Sequence, residues 1–317
     1  MPSLITFGGG SVKSFGGTRH KQVSGSAPGT YYPPVMAGEL GVTIQGASSV
    51  YMPPQGSARK AYAVFTGAGN FHITSGFGTV NAIICAGGGG GSNAAYKGQG
   101  GGGAGGLLQT TITSTVGSNY VITVGSGGAN NTKGSNSSVG SYVAHGGGGG
   151  GGVTWNSDKS GGSGGGGGYN GAVGGTAVAG QGNAGGAGVH SIKQTVRSGG
   201  GGGGAGAAGS NGAVRGYGGA GGVGLACYPD QGRNPSIVYN LAGGGGGGWS
   251  GITSGNGNIF GGGSATGYSN LPIGSAGTVN TGGGGGGCHT SSNANSSGGS
   301  GIVIIAWTVQ TTSGGIG

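Results

Sequence analysis

The chain has 317 residues, of which 98 are glycine, 12 are Lys or Arg, and only three are acids: Glu39, Asp158 and Asp230. Glycine averages roughly 7% in globular proteins, so this chain cannot fill its interior with side chains in the usual proportion. The shortage of carboxylates argues against acid-dependent catalysis, because paired-acid glycan cleavage needs two carboxyls about 5 to 10 Å apart.

Composition shifts along the chain. Residues 1–80 hold 15 glycines, six of the nine prolines and all three methionines, whereas the remaining 237 residues hold 83 glycines. Two regions are expected from this: an arm over residues 1–60 and a glycine-rich β/polyglycine II domain over 61–317. Tyr31-Tyr32-Pro33-Pro34 and Tyr51-Met52-Pro53-Pro54 read as extended, proline-fixed pieces of a docking arm.

From Tyr62 onward the pattern is that of short strands. Tyr62 to Phe65, Phe71 to Thr74 and Val80 to Cys85 are β-rich runs separated by glycine-containing turns. Leu107 to Thr113 and Tyr120 to Val124 alternate apolar and polar residues, as half-buried strands do. The chain closes with Ile302 to Val309, as apolar as Val80 to Cys85 and its natural partner. No segment has a 3.6-residue period, so essentially no α-helix is expected.

Between these strands lie seven glycine runs: 87–91, 100–103, 146–152, 164–168, 199–204, 243–248 and 282–287. A glycine run has no side chains to bury, so its assets are its backbone hydrogen-bonding groups and its thinness. In the polyproline II conformation, with three residues per turn and a rise of about 3.1 Å per residue, such runs can lie side by side. Each then bonds to neighbours in three directions. The fold class expected is mostly β with polyglycine II helices, short strands framing a core bonded through its backbone.

Other uses of glycine are weaker readings. Collagen requires glycine at every third position, whereas here it comes in blocks. Silk-like repeats and glycine-serine linkers lack the interleaved strands. GxGxxG matches follow from glycine abundance alone, with no GK[ST] and no following helix, so no nucleotide or other cofactor is expected. The twelve basic residues form no stripe of the kind nucleic-acid binders use. No cysteine or histidine spacing suits zinc, with Cys288-His289 the only adjacent pair, and the three cysteines suggest synthesis in a reducing cytoplasm. The N-terminus lacks the pattern of a secretory leader. The longest apolar run, Ile302 to Trp307, is far short of the ~20 residues of a membrane span.

Candidate binding residues are the aromatics between the glycine runs: Tyr96, Trp155, Tyr169, Tyr217, Tyr228, Trp249 and Tyr268. Tyr and Trp give large contact area at low entropy cost. Asn156 and Lys159, beside Trp155, add the hydrogen-bonding groups that saccharide recognition wants. The competing reading is that these rings cover the edges of the glycine layer. His20, His72, His145, His190 and His289 have neither metal nor catalytic spacing.

The order of elements carries a resemblance. Val64 to Gly69, the strand Val80 to Cys85 running into Ala86 to Gly91, and Gly102 to Leu108 resemble the glycine-rich domain of bacteriophage tail fibres and tail-associated proteins. So do Tyr120 to Gly128 and the closing Gly298 to Ile305. The likeness extends over roughly residues 62–309 and is similar to distal adhesins of T-even-like phages with a polyglycine II core. It implies a virion protein at the phage tail whose loops bind a host surface glycan or outer-membrane protein, with residues 1–60 docking to other virion proteins and a homotrimeric assembly. The alternative is a purely structural capsid fibre, decoration or tail connector protein. A polyglycine II ice-binding protein would need one flat regular face, which the irregular loops do not suit.

Overall fold

A computed structural model describes residues 23–24, 30–31, 40–53, 60–93, 98–152, 158–191, 196–214, 217–229, 238–248, 254–265, 274–288 and 296–308. The strands in chain order are β1 (Val23–Ser24), β2 (Thr30–Tyr31), β3 (Gly41–Gln45), β4 (Ser49–Tyr51), β5 (Lys60–Phe65), β6 (Gly69–Ser75), β7 (Val80–Cys85) and β8 (Leu107–Ile112). They are followed by β9 (Asn119–Thr123), β10 (Ser137–Val139), β11 (Tyr142–Ala144), β12 (Val189–Ser191), β13 (Val196–Ser198), β14 (Leu225–Cys227), β15 (Tyr239–Leu241) and β16 (Ile302–Thr308). Among the described residues there is no α-helix.

Two six-stranded antiparallel sheets have the orders β1-β4-β5-β16-β7-β8 and β11-β10-β9-β6-β3-β2. The closing strand does pair with Val80 to Cys85: Ile302 lies opposite Cys85 and Trp307 opposite Val80. Its near-continuous apolar character follows from burial on both faces. Val303, Ile305 and Trp307 enter a core shared with Phe65, Phe71, Ile73 and Ile122 of both sheets. Ile302, Ile304 and Ala306 point the other way, into a second cluster with Tyr62, Val64, Leu107, Cys227 and Leu241, as the two-residue period of a strand requires. Trp307 and Phe71 meet across the first core with ring centroids 5.5 Å apart.

Parts of the expected arm over residues 1–60 are built into the sheets. β3 lies along β6, with Val42 opposite Ile73, and β4 lies along β5, with Val50 opposite Ala63. Leu40, Val42, Ile44, Val50 and Met52 belong to the first core, and Tyr51 stacks on Tyr62 at 5.0 Å. The apolar side chains of residues 40–53 are therefore sandwich interior, where a separate arm would leave them wet.

The glycine runs form the other half of the molecule, and their hydrogen bonds recur with a period of three. In residues 86–92, Ala86, Gly89 and Ser92 donate to Gly106, Gly103 and Gly100; Gly87 and Gly90 donate to Ser135 and Thr132; Gly88 and Gly91 donate to Gly299 and Ser296. Carbonyls follow the same period: Gly87 and Gly90 accept from Gly147 and Gly150, Gly88 and Gly91 from Gly128 and Asn131, and Gly89 and Ser92 from Gly285 and Cys288. One extended segment thus addresses six neighbours, three as donor and three as acceptor. That is what three residues per turn allows. Residues 100–106 repeat the arrangement, donating to segments around Gly148, Gly200 and Gly285 and accepting from segments around Gly89, Gly166 and Gly245.

Space, rather than backbone freedom, demands glycine here. Among the seven runs only Gly282 has a positive φ, yet a Cβ on Gly89 would stand 2.1 Å from the carbonyl oxygen of Gly148, and one on Gly102 2.1 Å from that of Gly89. These neighbours are backbone atoms fixed by their own bonds, so they cannot move aside.

Strand and bundle are continuous. β7 runs into Ala86, Gly106 into β8, β11 into the 146–152 run, and Gly301 into β16. The sandwich therefore closes one end of the bundle.

Cys85, Cys227 and Cys288 are all buried and unbridged. Burial pushes the Cys85 thiol up, with the neighbouring Cys227 adding to it, and pushes Cys227 up to about 11. The thiolate is the reactive form. The native protein at pH 8 should therefore leave these three thiols unlabelled by a thiol reagent, and denaturant should release them. Gly89→Ala should cost about 3 kcal/mol or more, at the upper end for overpacking, and Gly149→Val at least as much, since a Cβ there already lies 2.6 Å from the Asn131 carbonyl oxygen. Gly67→Ala, where a Cβ meets nothing within 4 Å, should change stability by no more than about 0.5 kcal/mol. Thermal denaturation of the three variants checks both expectations.

Candidate functional site

The directions of the runs determine where the connecting segments emerge. Ser92 donates to the Gly100 carbonyl, Cys288 to Ser92, Gly91 to Ser296, Gly248 to Gln99 and Gly199 to Gly248. Gly100 donates to Gly151, Tyr169 to Gly98, Gly247 to Gly219, and Ala265 to Gly255 beside Gly247. These bonds join the ends of the runs that lie farthest from the sandwich. The described flanks of residues 94–97, 153–157, 192–195, 215–216, 249–253, 266–273 and 289–295 thus gather at one end, opposite the sheets.

Of the candidate residues, Tyr96, Trp155, Asn156, Trp249 and Tyr268 lie outside the described residues, each between flanks at this far end. Tyr217 is there too and is 52% exposed. Tyr228, 41% exposed, follows β14, which packs on the sandwich, so the length of the bundle separates it from Tyr217 and from those flanks.

Lys159 and Tyr169 depart from the expectation of open display. The Lys159 ammonium donates to the Val173 carbonyl oxygen at 2.7 Å, and partial burial holds its pKa below the usual lysine range. Tyr169, only 8% exposed, is an end-cap. Its backbone N–H reaches the Gly98 carbonyl oxygen at 2.8 Å, and its ring is covered by the Arg197 guanidinium, 5.0 Å from the centroid. His190 meets the same ring edge-on at 5.9 Å.

His190 and Arg197 come from the β12-β13 hairpin, where they lie directly opposite each other. From the sequence His190 is weighed only for metal or catalytic spacing, and Arg197 is not singled out. The available signal was the pair of triplets Val189-His190-Ser191 and Val196-Arg197-Ser198, separated by four residues, a spacing that suits a hairpin. Gly98 completes the assembly: its φ is +78°, and a Cβ would lie 2.6 Å from Tyr169 Cβ and 2.7 Å from the Arg197 carbonyl oxygen.

Elsewhere the polar groups are sparse. Asp158 pairs with Lys133 at 2.9 Å on the surface. A shallow cleft of about 150 Å³ on the bundle flank is lined by Lys133, His145, Ser160 and Thr176 among others. Among the described residues no three His, Cys, Asp or Glu side chains stand close enough to hold a metal. Among the same residues no helix is long and apolar enough to cross a membrane.

Truncation should separate the two kinds of aromatic. Tyr169→Ala removes a buried ring together with its cation contact and should cost about 3 kcal/mol, in the range for large core aromatics. Tyr217→Ala should stay within about 0.5 kcal/mol, as exposed substitutions do. Denaturant unfolding of the two variants measures the difference.

No curated protein matches the chain. A family described as the glycine-rich domain matches residues 63–308, from within β5 to the end of β16, which takes in the sandwich's central strands and every glycine run. The chain belongs to this glycine-rich domain family.

Proposed function

We propose that the protein is a structural component of a phage virion, a tail fibre or tail-tip adhesin that binds the host surface through the segments between its glycine runs. The observation that carries this reading is the polarity of the bundle. One end is closed by the sandwich, and the other gathers the flanks of nearly all segments that hold the aromatic candidates. A core bonded through its backbone is a rigid support for such segments. Their ligand would be a host glycan or an outer-membrane protein. Particle attachment falls to the chain ahead of β1, since β1, β2 and residues 40–53 are built into the sheets. Several copies per particle, as in a homotrimer, would raise avidity without new contacts.

A purely structural place in the virion, as a capsid fibre, decoration or connector protein, is the second reading. It is favoured by Ile259 and Val279, 89% and 67% exposed at turns facing the sandwich end, where a neighbouring protein could cover them.

Antibody labelling of intact particles, viewed by electron microscopy, decides between the two. Label at the distal tip of the tail is expected for an adhesin. Label confined to the capsid or spread along the tail would overturn that reading in favour of the structural one.

A further inference from the structure

We infer that Arg197 and His190, held by Tyr169 at the far end of the bundle, form a subsite for the acidic group of a saccharide. The inference rests on the adhesin reading and names the class of ligand. It begins with charge. Twelve Lys and Arg face three acids in the whole chain, so most cations have no internal carboxylate to pair with. Asp158 is the one acid among the described residues, and Lys133 occupies it. Lys159 is taken up by the Val173 carbonyl oxygen. Arg197 has neither kind of partner among the described residues, and yet it is held in place.

The holding is specific. The guanidinium lies over the Tyr169 ring, and that ring is fixed by burial and by its backbone bond to Gly98. A stacked guanidinium keeps its edge free, and its planar fork of N–H donors matches carboxylate or phosphate oxygens in pairs. His190, exposed and opposite Arg197 in the hairpin register, adds a second donor on the same face. Tyr169 is then a positioning residue: its ring face is already covered by the arginine and is not available to stack on a sugar. Among the described residues the one carboxylate an anion could meet is that of Asp158, which Lys133 already neutralises.

The full chain is tested against immobilised polygalacturonate, which carries carboxylates, phosphomannan, which carries phosphates, and neutral dextran. Arg197→Gln is compared with Lys133→Gln, which removes the same charge from the bundle flank. Wild type should bind one or both acidic polymers and not dextran, and which of the two it prefers identifies the anionic group. Arg197→Gln should weaken that binding about tenfold, the scale of a lost charge-assisted bond, while Lys133→Gln leaves it nearly intact. Thermal denaturation should show Arg197→Gln still folded, and Arg197→Lys should restore less than half of the loss because it lacks the fork. Equal losses in the two Gln variants, equal binding to dextran, or no wild-type binding to either acidic polymer would overturn the subsite. Adsorption to cells that the phage infects separates the levels: wild type and Arg197→Gln adsorbing equally overturns the subsite alone, whereas no adsorption by wild type overturns the adhesin reading with it.

Discussion

The rest of the structure depends on the close approach of carbonyl oxygens to the α-carbons of neighbouring chains. In the bundle that distance leaves no room for a Cβ, as the 2.1 Å between a virtual Gly89 Cβ and the Gly148 oxygen shows. Within the runs glycine is used for its size, and only Gly282 among them takes a left-handed conformation. The cost is entropic: fixing one residue's backbone takes about 1–2 kcal/mol, with glycine at the high end, whereas a hydrogen bond returns about 0.5–1.5 kcal/mol net. Backbone bonding alone therefore does not hold the bundle. The deficit is met where the runs continue into β7, β8 and β16, whose side chains fill two apolar clusters. The sandwich acts as the anchor, and the bundle as an extension templated on it.

That division also accounts for the charge pattern. A core packed to backbone contact has no volume for ionised groups, and only one salt bridge joins described residues. Apart from Lys60, buried in β5 of the sandwich, the described charged side chains lie outside the core. Because acids are nearly absent from the sequence, most cations have no internal carboxylate to neutralise them.

Much of this was legible in the sequence. Strands β5 through β9 and β16 announce themselves by alternation or by continuous apolar runs between glycine blocks, and the pairing of the last strand with Val80–Cys85 followed from their matched hydrophobicity. β3 and β4 were missed because proline and glycine around them imitate a linker. In the fold, Gly46 makes a turn with φ +77°, and Gly41 lies where a Cβ would strike the Ser75 hydroxyl, 2.3 Å away. These are tight packing positions, which in one dimension look the same as slack. Tyr169 follows the competing reading, in which a ring covers the edge of the glycine layer. An aromatic beside a glycine run reads as a displayed side chain, but the end of a backbone-bonded layer needs a ring to cover it. Arg197 was invisible because its importance comes from the hairpin register opposite His190, not from any local motif.

The same physics separates stability from recognition. In an ordinary core, a change in a loop that shifts a helix or strand is felt by interlocked side chains, because interiors are close-packed. Here the contacts between runs are backbone to backbone, and their specificity lies in run length and register, not in side-chain identity. A segment joining two runs can change sequence freely as long as its flanks keep their bonds, such as Ser92 to Gly100 at one flank and Tyr169 to Gly98 at another. The residues that must stay are those that seal the end of the layer: buried Gln99, which accepts from the Ser92 hydroxyl at 2.8 Å, and Tyr169 beneath Arg197. Beyond that seal, sequence is released from the demands of folding, which is the condition under which a surface can follow a changing ligand.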